Sequence, residues 1–231
     1  MKFGIVVFPG SNCDKDMIYV LETLCKQEVV SLWHKDKDLQ NCDFIILPGG
    51  FSYGDYLRSG AIARFSNIME EVIKFANHGG YVLGVCNGFQ ILCESGLLPG
   101  TLLHNNSHKF ICKNIYLSTQ TNRSCISDKV DKKKPLCIPI AHGEGRYFAD
   151  KETLKDLNDN EQVIFRYCDK YGNITDESNP NGAVENIAGI CNASRNVFGM
   201  MPHPERASDQ ELNNIDGSFI FESIISVLQP V

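Results

Sequence analysis

The chain has 231 residues, 43% hydrophobic and 22% charged, a balance that fits one globular domain over residues 1–231 and excludes disordered, collagen-like and coiled-coil chains. Lys plus Arg number 22 against 28 Asp plus Glu, and the net charge of −6 argues against a nucleic-acid or anionic-membrane binder held by general electrostatics. No apolar stretch approaches the ~18 residues of a membrane span, and the first residues run into a strand rather than a signal peptide, so a cytoplasmic, reducing compartment is expected for the ten cysteines.

Lys2 to Phe8 (KFGIVVF) reads as a strand buried on both faces, and Pro9-Gly10-Ser11-Asn12 turns the chain into a helix with Met17, Leu21, Leu24 and Cys25 on one side. Glu28 to Trp33 and Asp43 to Leu47 are the next strands, the second ending at Pro48-Gly49-Gly50. Gly60 to Asn77 carries Ile62, Phe65, Met69, Val72 and Phe75 at helical spacing, and Tyr81 to Val85 is a fourth strand. Strand and helix alternating in this way predict an α/β fold, a mostly parallel central sheet flanked by helices, with ligands beyond the carboxyl ends of the strands. From Thr101 to Cys191, short pieces such as FICKNIYL, PLCIPIAH and QVIFRYCD predict added antiparallel strands in the second half. Asp128 to Lys134 (DKVDKKK) reads as a solvated loop. Asn196 to Met201 returns as a strand, and Gly217 to Leu228 closes as a helix with Phe219, Ile220, Ile224 and Val227 inward. No two cysteines have the Cys-x-x-Cys spacing of a zinc or redox site, so no metal is expected; Cys25, Cys112, Cys137, Cys168 and Cys191, inside apolar runs, are expected in the core.

The fourth strand runs into Gly84-Val85-Cys86-Asn87-Gly88-Phe89-Gln90, a nucleophile elbow in which Cys86 would project over the sheet edge at the start of a helix whose dipole favours a thiolate. In Met201-Pro202-His203-Pro204-Glu205-Arg206 each proline disfavours helix in the residue before it. An extended stretch puts His203 and Glu205 on one side, at the same sheet edge as Cys86. A cysteine, a histidine to take its proton and a carboxylate to orient the imidazole make an activated thiol nucleophile. Backbone N–H groups near Gly50, with that of Asn87, are placed to hold an oxyanion.

These residues resemble the class I (triad) glutamine amidotransferases, whose elbow reads Gly-x-Cys-x-Gly-x-Gln. Within that family they are most similar to the branch that serves phosphoribosylformylglycinamidine synthesis in purine biosynthesis. The resemblance rests on GVCNGFQ at Gly84 to Gln90, PGGFSYGDYLRSGAIAR at Pro48 to Arg64, IPIAHGEGRY at Ile138 to Tyr147, NPNGAVENIAGICN at Asn179 to Asn192, and MPHPER. It implies a flavodoxin-like amidotransferase that hydrolyses L-glutamine through a Cys86 thioester, with Gly49, Phe51, Gln90, Asn105 and Ser107 helping to hold the substrate. It implies no cofactor in this chain: ATP and Mg²⁺ would belong to a synthetase partner, joined by a small accessory subunit, that receives the ammonia. Tyr53, Asp55, Tyr56 and Arg58 are candidate partner contacts. The competing readings are an amidotransferase serving another acceptor and a catalytically inactive regulatory module; such modules usually lose the cysteine or the histidine, and both are present.

Overall fold

The computed structural model describes residues 1–228. The chain runs β1 (Lys2–Val7), α1 (Asp14–Tyr19), β2 (Glu28–Trp33), β3 (Phe44–Leu47), α2 (Asn67–Asn77), β4 (Tyr81–Val85), α3 (Asn87–Glu94), β5 (Thr101–Leu103), β6 (Ile111–Thr119), β7 (Leu136–His142), β8 (Arg146–Phe148), α4 (Lys151–Asp159), β9 (Val163–Cys168), β10 (Ile187–Cys191), β11 (Val197–Met200) and α5 (Ser218–Leu228). Nine strands form one sheet in the order β2-β1-β3-β4-β11-β10-β9-β6-β7, and β5 and β8 pair separately. The first five in that order are mutually parallel and the junctions from β11 to β7 are antiparallel. The two-part sheet expected from the change of pattern near Thr101 is therefore present.

The parallel half is built from short Val-, Ile- and Leu-rich runs because both of its faces are covered. Phe3, Ile5 and Val6 of β1, all four residues of β3 and Val82, Leu83 and Val85 of β4 are buried. Among the described residues no helix is long and apolar enough to cross a membrane.

Six sequence expectations need correction. The helix expected from Gly60 begins only at Asn67, because residues 58–66 lie across α3 instead: a Cβ at Gly60 would stand 2.8 Å from Ile91 N, and Arg64 Nη1 donates to the Glu94 carbonyl (2.9 Å) at the end of α3. Phe65, read as inward, is 73% exposed with the Arg64 guanidinium over its ring. After α1, Val20–Leu24 forms a widened π turn, with Cys25 N–H donating to the Val20 carbonyl, and this rotates Leu24 out of the core. In α5 the inward set is Ile220, Phe221 and Ile224 rather than Val227, which is exposed. The run expected to be all strand contains α4, started by the Asp150 carboxylate accepting from Thr153 N–H (2.8 Å). Cys112 stands on the outer end of β6 and is exposed, and Cys25 and Cys137 are only half-buried.

Candidate active site

The elbow follows from how closely α3 lies on the sheet. A Cβ at Gly88 would meet the Leu47 carbonyl oxygen of β3 at 1.9 Å, and one at Gly84 would meet the Gly88 carbonyl oxygen at 2.5 Å. The two glycines thus let the helix start directly on β3 and β4, and the chain must reverse within one residue. That residue is Cys86, with φ +51° and ψ −106°, a region that side chains other than glycine rarely occupy. Its backbone is held on both sides: Cys86 N–H donates to the Met200 carbonyl (2.8 Å), and its carbonyl accepts from Gln90 N–H (3.1 Å). Its Sγ leans on the Ala141 carbonyl at 3.8 Å.

Strand β11 lies parallel beside β4, with Met200 opposite Val85, so the segments that follow each strand emerge at one edge. His203 N–H is fixed by the Pro139 carbonyl of β7 (2.9 Å), which brings the far end of the sheet over the site. The expected extended stretch is in part a 3₁₀ turn over Pro204–Arg206, yet His203 Nδ1 still donates to Glu205 Oε1 at 2.7 Å, with both side chains buried. This leaves Nε2, buried and without a hydrogen-bond partner, as the nitrogen available to Cys86. Burial opposes charge on His203, and the Glu205 carboxylate and the Cys86 sulfur more than reverse that effect, holding the imidazole pKa well above its ordinary value. Gly49 packs against the ring: a Cβ there would stand 2.6 Å from His203 Cε1.

A second thiol, which no motif in the sequence singles out, belongs to this cluster. Cys13 Sγ accepts from Arg206 Nη2 (3.2 Å), Arg206 Nε donates to Asp16 Oδ2 (3.0 Å), and Cys13 touches the edge of His203. Burial pushes the Cys13 thiol pKa up. Donor atoms of Cys13, His203 and Glu205 lie within 4.8 Å of one another, the reach of a metal site. The Arg206 guanidinium on Cys13 Sγ repels a cation at that thiol, and His203 Nδ1, donating to Glu205, has no lone pair to offer a metal there.

A cavity of about 160 Å³ opens over Cys86, lined among others by Gly50, Phe51, Gln90, Asp55, Glu144 and His104. Of the residues expected around the substrate, Gly50, Phe51 and Gln90 are in this wall. Gln90 has both amide atoms engaged: Nε2 donates to the Glu144 carbonyl (2.6 Å), and Oε1 accepts from Asn87 Nδ2 (2.8 Å). Asn87 Oδ1 in turn accepts from Ser52 N–H (3.1 Å), tying the Pro48–Phe51 loop to the elbow. Asn105 and Ser107 are not in the wall. Asn105 is a fully buried strut that donates to the carbonyls of Lys109 and His142 and accepts from Gly145 N–H and His142 Nδ1, while Ser107 is exposed and accepts from Lys109 N–H. Burial, and then the charge of His203, lower the His142 pKa to about 4, which keeps it neutral between Asn105 and Asn181.

The four candidate partner contacts divide. Tyr53 turns inward and hydrogen-bonds His34 Nδ1 (2.6 Å), and Asp55 lines the cavity. Tyr56 is 74% exposed, and Arg58 lies at the surface on Glu94 (2.7 Å). Leu57 between them, 91% exposed, extends the patch and was not foreseen. Glu144, His104 and Phe110 were also missed as wall residues, because nothing in the period of the sequence says that the turn after β7 and the segment between β5 and β6 fold back over Cys86.

A parallel sheet whose central strand ends in a strained cysteine, with a buried histidine and glutamate behind the next strand, has the arrangement expected of a class I glutamine amidotransferase. The chain belongs to the CobB/CobQ-like glutamine amidotransferase domain family, whose model matches residues 1–222. It is 55% identical over 228 residues to the phosphoribosylformylglycinamidine synthase subunit PurQ of Koribacter versatilis, covering 99% of each chain. It is 54% identical to the PurQ subunit of a Synechocystis strain over 222 residues, 96% of this chain and 99% of that one. Among solved structures it is similar to a chain of PurLQS from Thermotoga maritima, with TM-score 0.86, 43% identity and 99% of both chains covered.

Proposed function

We propose that this chain is the glutaminase of a phosphoribosylformylglycinamidine synthase, one amidotransferase unit over its whole length that works in the cytoplasm. The observation that carries the reading is the pairing of β4 with β11, which places a strained Cys86 and the His203–Glu205 pair at one edge. The PurQ relatives and the PurLQS likeness, spanning nearly the full chain, support the acceptor and the partners.

His203 Nε2 takes the Cys86 proton, and the thiolate attacks the side-chain carboxamide carbon of L-glutamine. The oxyanion rests on backbone N–H groups at Gly50 and Asn87, while Glu205 stabilises the imidazolium. As the tetrahedral species collapses, the C–N bond breaks, His203 returns the proton to the nitrogen and ammonia leaves. Water, with His203 again as base, then hydrolyses the γ-glutamyl thioester to glutamate and restores the thiol. ATP and Mg²⁺ act on the synthetase subunit, which activates formylglycinamide ribonucleotide and consumes the ammonia to make formylglycinamidine ribonucleotide. The exposed Tyr56, Leu57 and Arg58 are the proposed contacts with that partner.

The test is labelling with 6-diazo-5-oxo-L-norleucine and peptide mapping, alongside Cys86→Ala in the assembled synthase. Modification of Cys86, protection by glutamine and loss of glutamine-dependent but not ammonia-dependent synthesis are expected. Retained glutamine-dependent turnover in Cys86→Ala would refute the reading.

A further inference from the structure

Residues 48–51 leave β3 and cross in front of the elbow, and Gly49 and Gly50 give this loop more backbone freedom than any other residue pair would. Its first end is held by β3, whose Leu47 carbonyl lies against Gly88. On its outer side it is pinned to the turn after β1: Phe51 N–H donates to the Gly10 carbonyl (2.9 Å), and Cys13 N–H donates to the Gly49 carbonyl (3.3 Å). On the elbow side Ser52 N–H donates to Asn87 Oδ1 (3.1 Å), and both residues are buried. The Asn87 amide has one orientation that satisfies its surroundings. Its Nδ2 donates to Gln90 Oε1 (2.8 Å) and to Asp55 Oδ1 (3.4 Å), so a flipped amide would set oxygen against two oxygens and an NH₂ group against an N–H. Gln90 is fixed in turn by Nε2, which donates to the Glu144 carbonyl (2.6 Å).

Resting on the glutaminase reading above, we infer that the Asn87 side chain is a positioning residue that sets the separation of the two oxyanion donors. One donor is the backbone N–H of Asn87 itself, which moves with the elbow. The other is Gly50 N–H, which moves with the glycine loop, two residues before the Ser52 amide that Asn87 holds. An oxyanion hole works only when its donors stand roughly 2.7–3.1 Å from the atom on which charge develops, so the separation of the two amides matters to a few tenths of an ångström. A hydrogen bond between buried groups, away from competing water, is suited to hold that spacing. The tie acts on the transition state, where the carbonyl oxygen becomes an oxyanion. It leaves alone the binding of glutamine in its ground state and the nucleophilicity of the Cys86 sulfur. With the tie cut, Gly49 and Gly50 absorb the movement of the loop, and the strands on which the elbow stands keep their pairing.

The test is Asn87→Ala in the assembled synthase, with steady-state glutamine kinetics and the rate at which iodoacetamide alkylates Cys86. Iodoacetamide reacts by displacement at a saturated carbon and forms no oxyanion, so it reads the thiol without the donors. The kcat for glutamine is expected to fall roughly 10- to 100-fold, the cost of a misplaced oxyanion donor. KM, the alkylation rate and the protection that glutamine gives Cys86 should each change by less than about threefold, the pattern of an interaction made only in the transition state. Asn87→Ser, whose hydroxyl stops one bond short of the amide oxygen, carries the same expectations where the alanine variant does not assemble. A kcat within about threefold of wild type overturns the inference. A rise in KM alone also overturns it, since Asn87 would then be a substrate contact. A parallel loss of turnover and alkylation, or failure of both variants to assemble, overturns it as well, because Asn87 would then be a strut of the fold. A wild type without glutaminase activity, by contrast, fails the underlying reading.

Discussion

Gly88 lies against β3 at the start of the helix that carries the proposed nucleophile, and this makes Gly88→Ala a sharp perturbation. The new methyl would lie 1.9 Å from the Leu47 carbonyl oxygen, more than an ångström inside the 3.0 Å that real Cβ atoms respect. The obstacle is backbone in a strand paired on both sides, so it cannot swing away as a side chain would. The helix must move instead by about 1 Å. Overpacking of this kind costs about 1–3 kcal/mol, and with a rigid neighbour the upper end is expected, a fall in Tm of roughly 6–12 °C for a chain of this size. Since α3 starts on Cys86, a displacement of about 1 Å should also lower kcat roughly 100-fold. Gly79→Ala is the control: its φ is +89° but nothing lies within 4 Å, so it should cost about 1 kcal/mol from backbone strain and leave turnover alone. Thermal unfolding by circular dichroism and glutamine turnover in the assembled synthase measure both. If Gly88→Ala melts within about 2 °C of wild type, or less destabilised than Gly79→Ala, the close-packing account of the elbow is wrong.

Three further outcomes are expected. Glu205→Gln keeps the shape beside His203 but removes the charge that sustains the imidazolium, so kcat should fall roughly 10²- to 10⁴-fold; a loss below threefold would dismiss Glu205 as the orienting carboxylate. His142 stays neutral in the fold to about pH 4, whereas an unfolded histidine takes its proton near 6.5. Protons therefore favour the unfolded chain as pH drops through that window, and the contribution is flat above it. The stability difference between wild type and His142→Gln, from urea unfolding, should swing by roughly 3 kcal/mol between pH 7 and pH 4, and a difference independent of pH would contradict the burial argument. With a maleimide and excess glutamine, Cys112 should react first among the ten cysteines because it alone is exposed. Rapid modification of Cys13, whose thiol burial keeps protonated, would show that the cluster behind His203 is open.

What could be read in the sequence was whatever periodicity or a rigid motif controls. The buried strands of the parallel half, the elbow and the His-Pro-Glu pair are local in sequence, and pairing of β4 with β11 suffices to bring them together. Glu144 and His104 reach the cavity only because the antiparallel half folds back, and no periodicity encodes that. Helix α4 was missed because Leu154 and Leu157 are its only apolar side chains, too few for a stripe, and its start rests on the cap at Asp150. Phe65 misled in the opposite sense: it keeps the spacing of α2, but Ser66 is extended with ψ 153° and separates the two. Asn105 shows the limit of a resemblance, since its four hydrogen bonds hold the Gly143 to Gly145 turn and leave no polar atom for a ligand.

The placement of β11 between β4 and β10 also sets an order in time. At ~5–20 residues per second a ribosome makes His203 roughly 6–23 s after Cys86. Through that interval the nascent chain has a β4 with one open edge and a cysteine with no base. Both are completed by the same event, insertion of the four residues of β11. Reactivity is thus withheld from partial chains, and a truncated product that stops short of β11 is an aggregation hazard rather than a stray glutaminase.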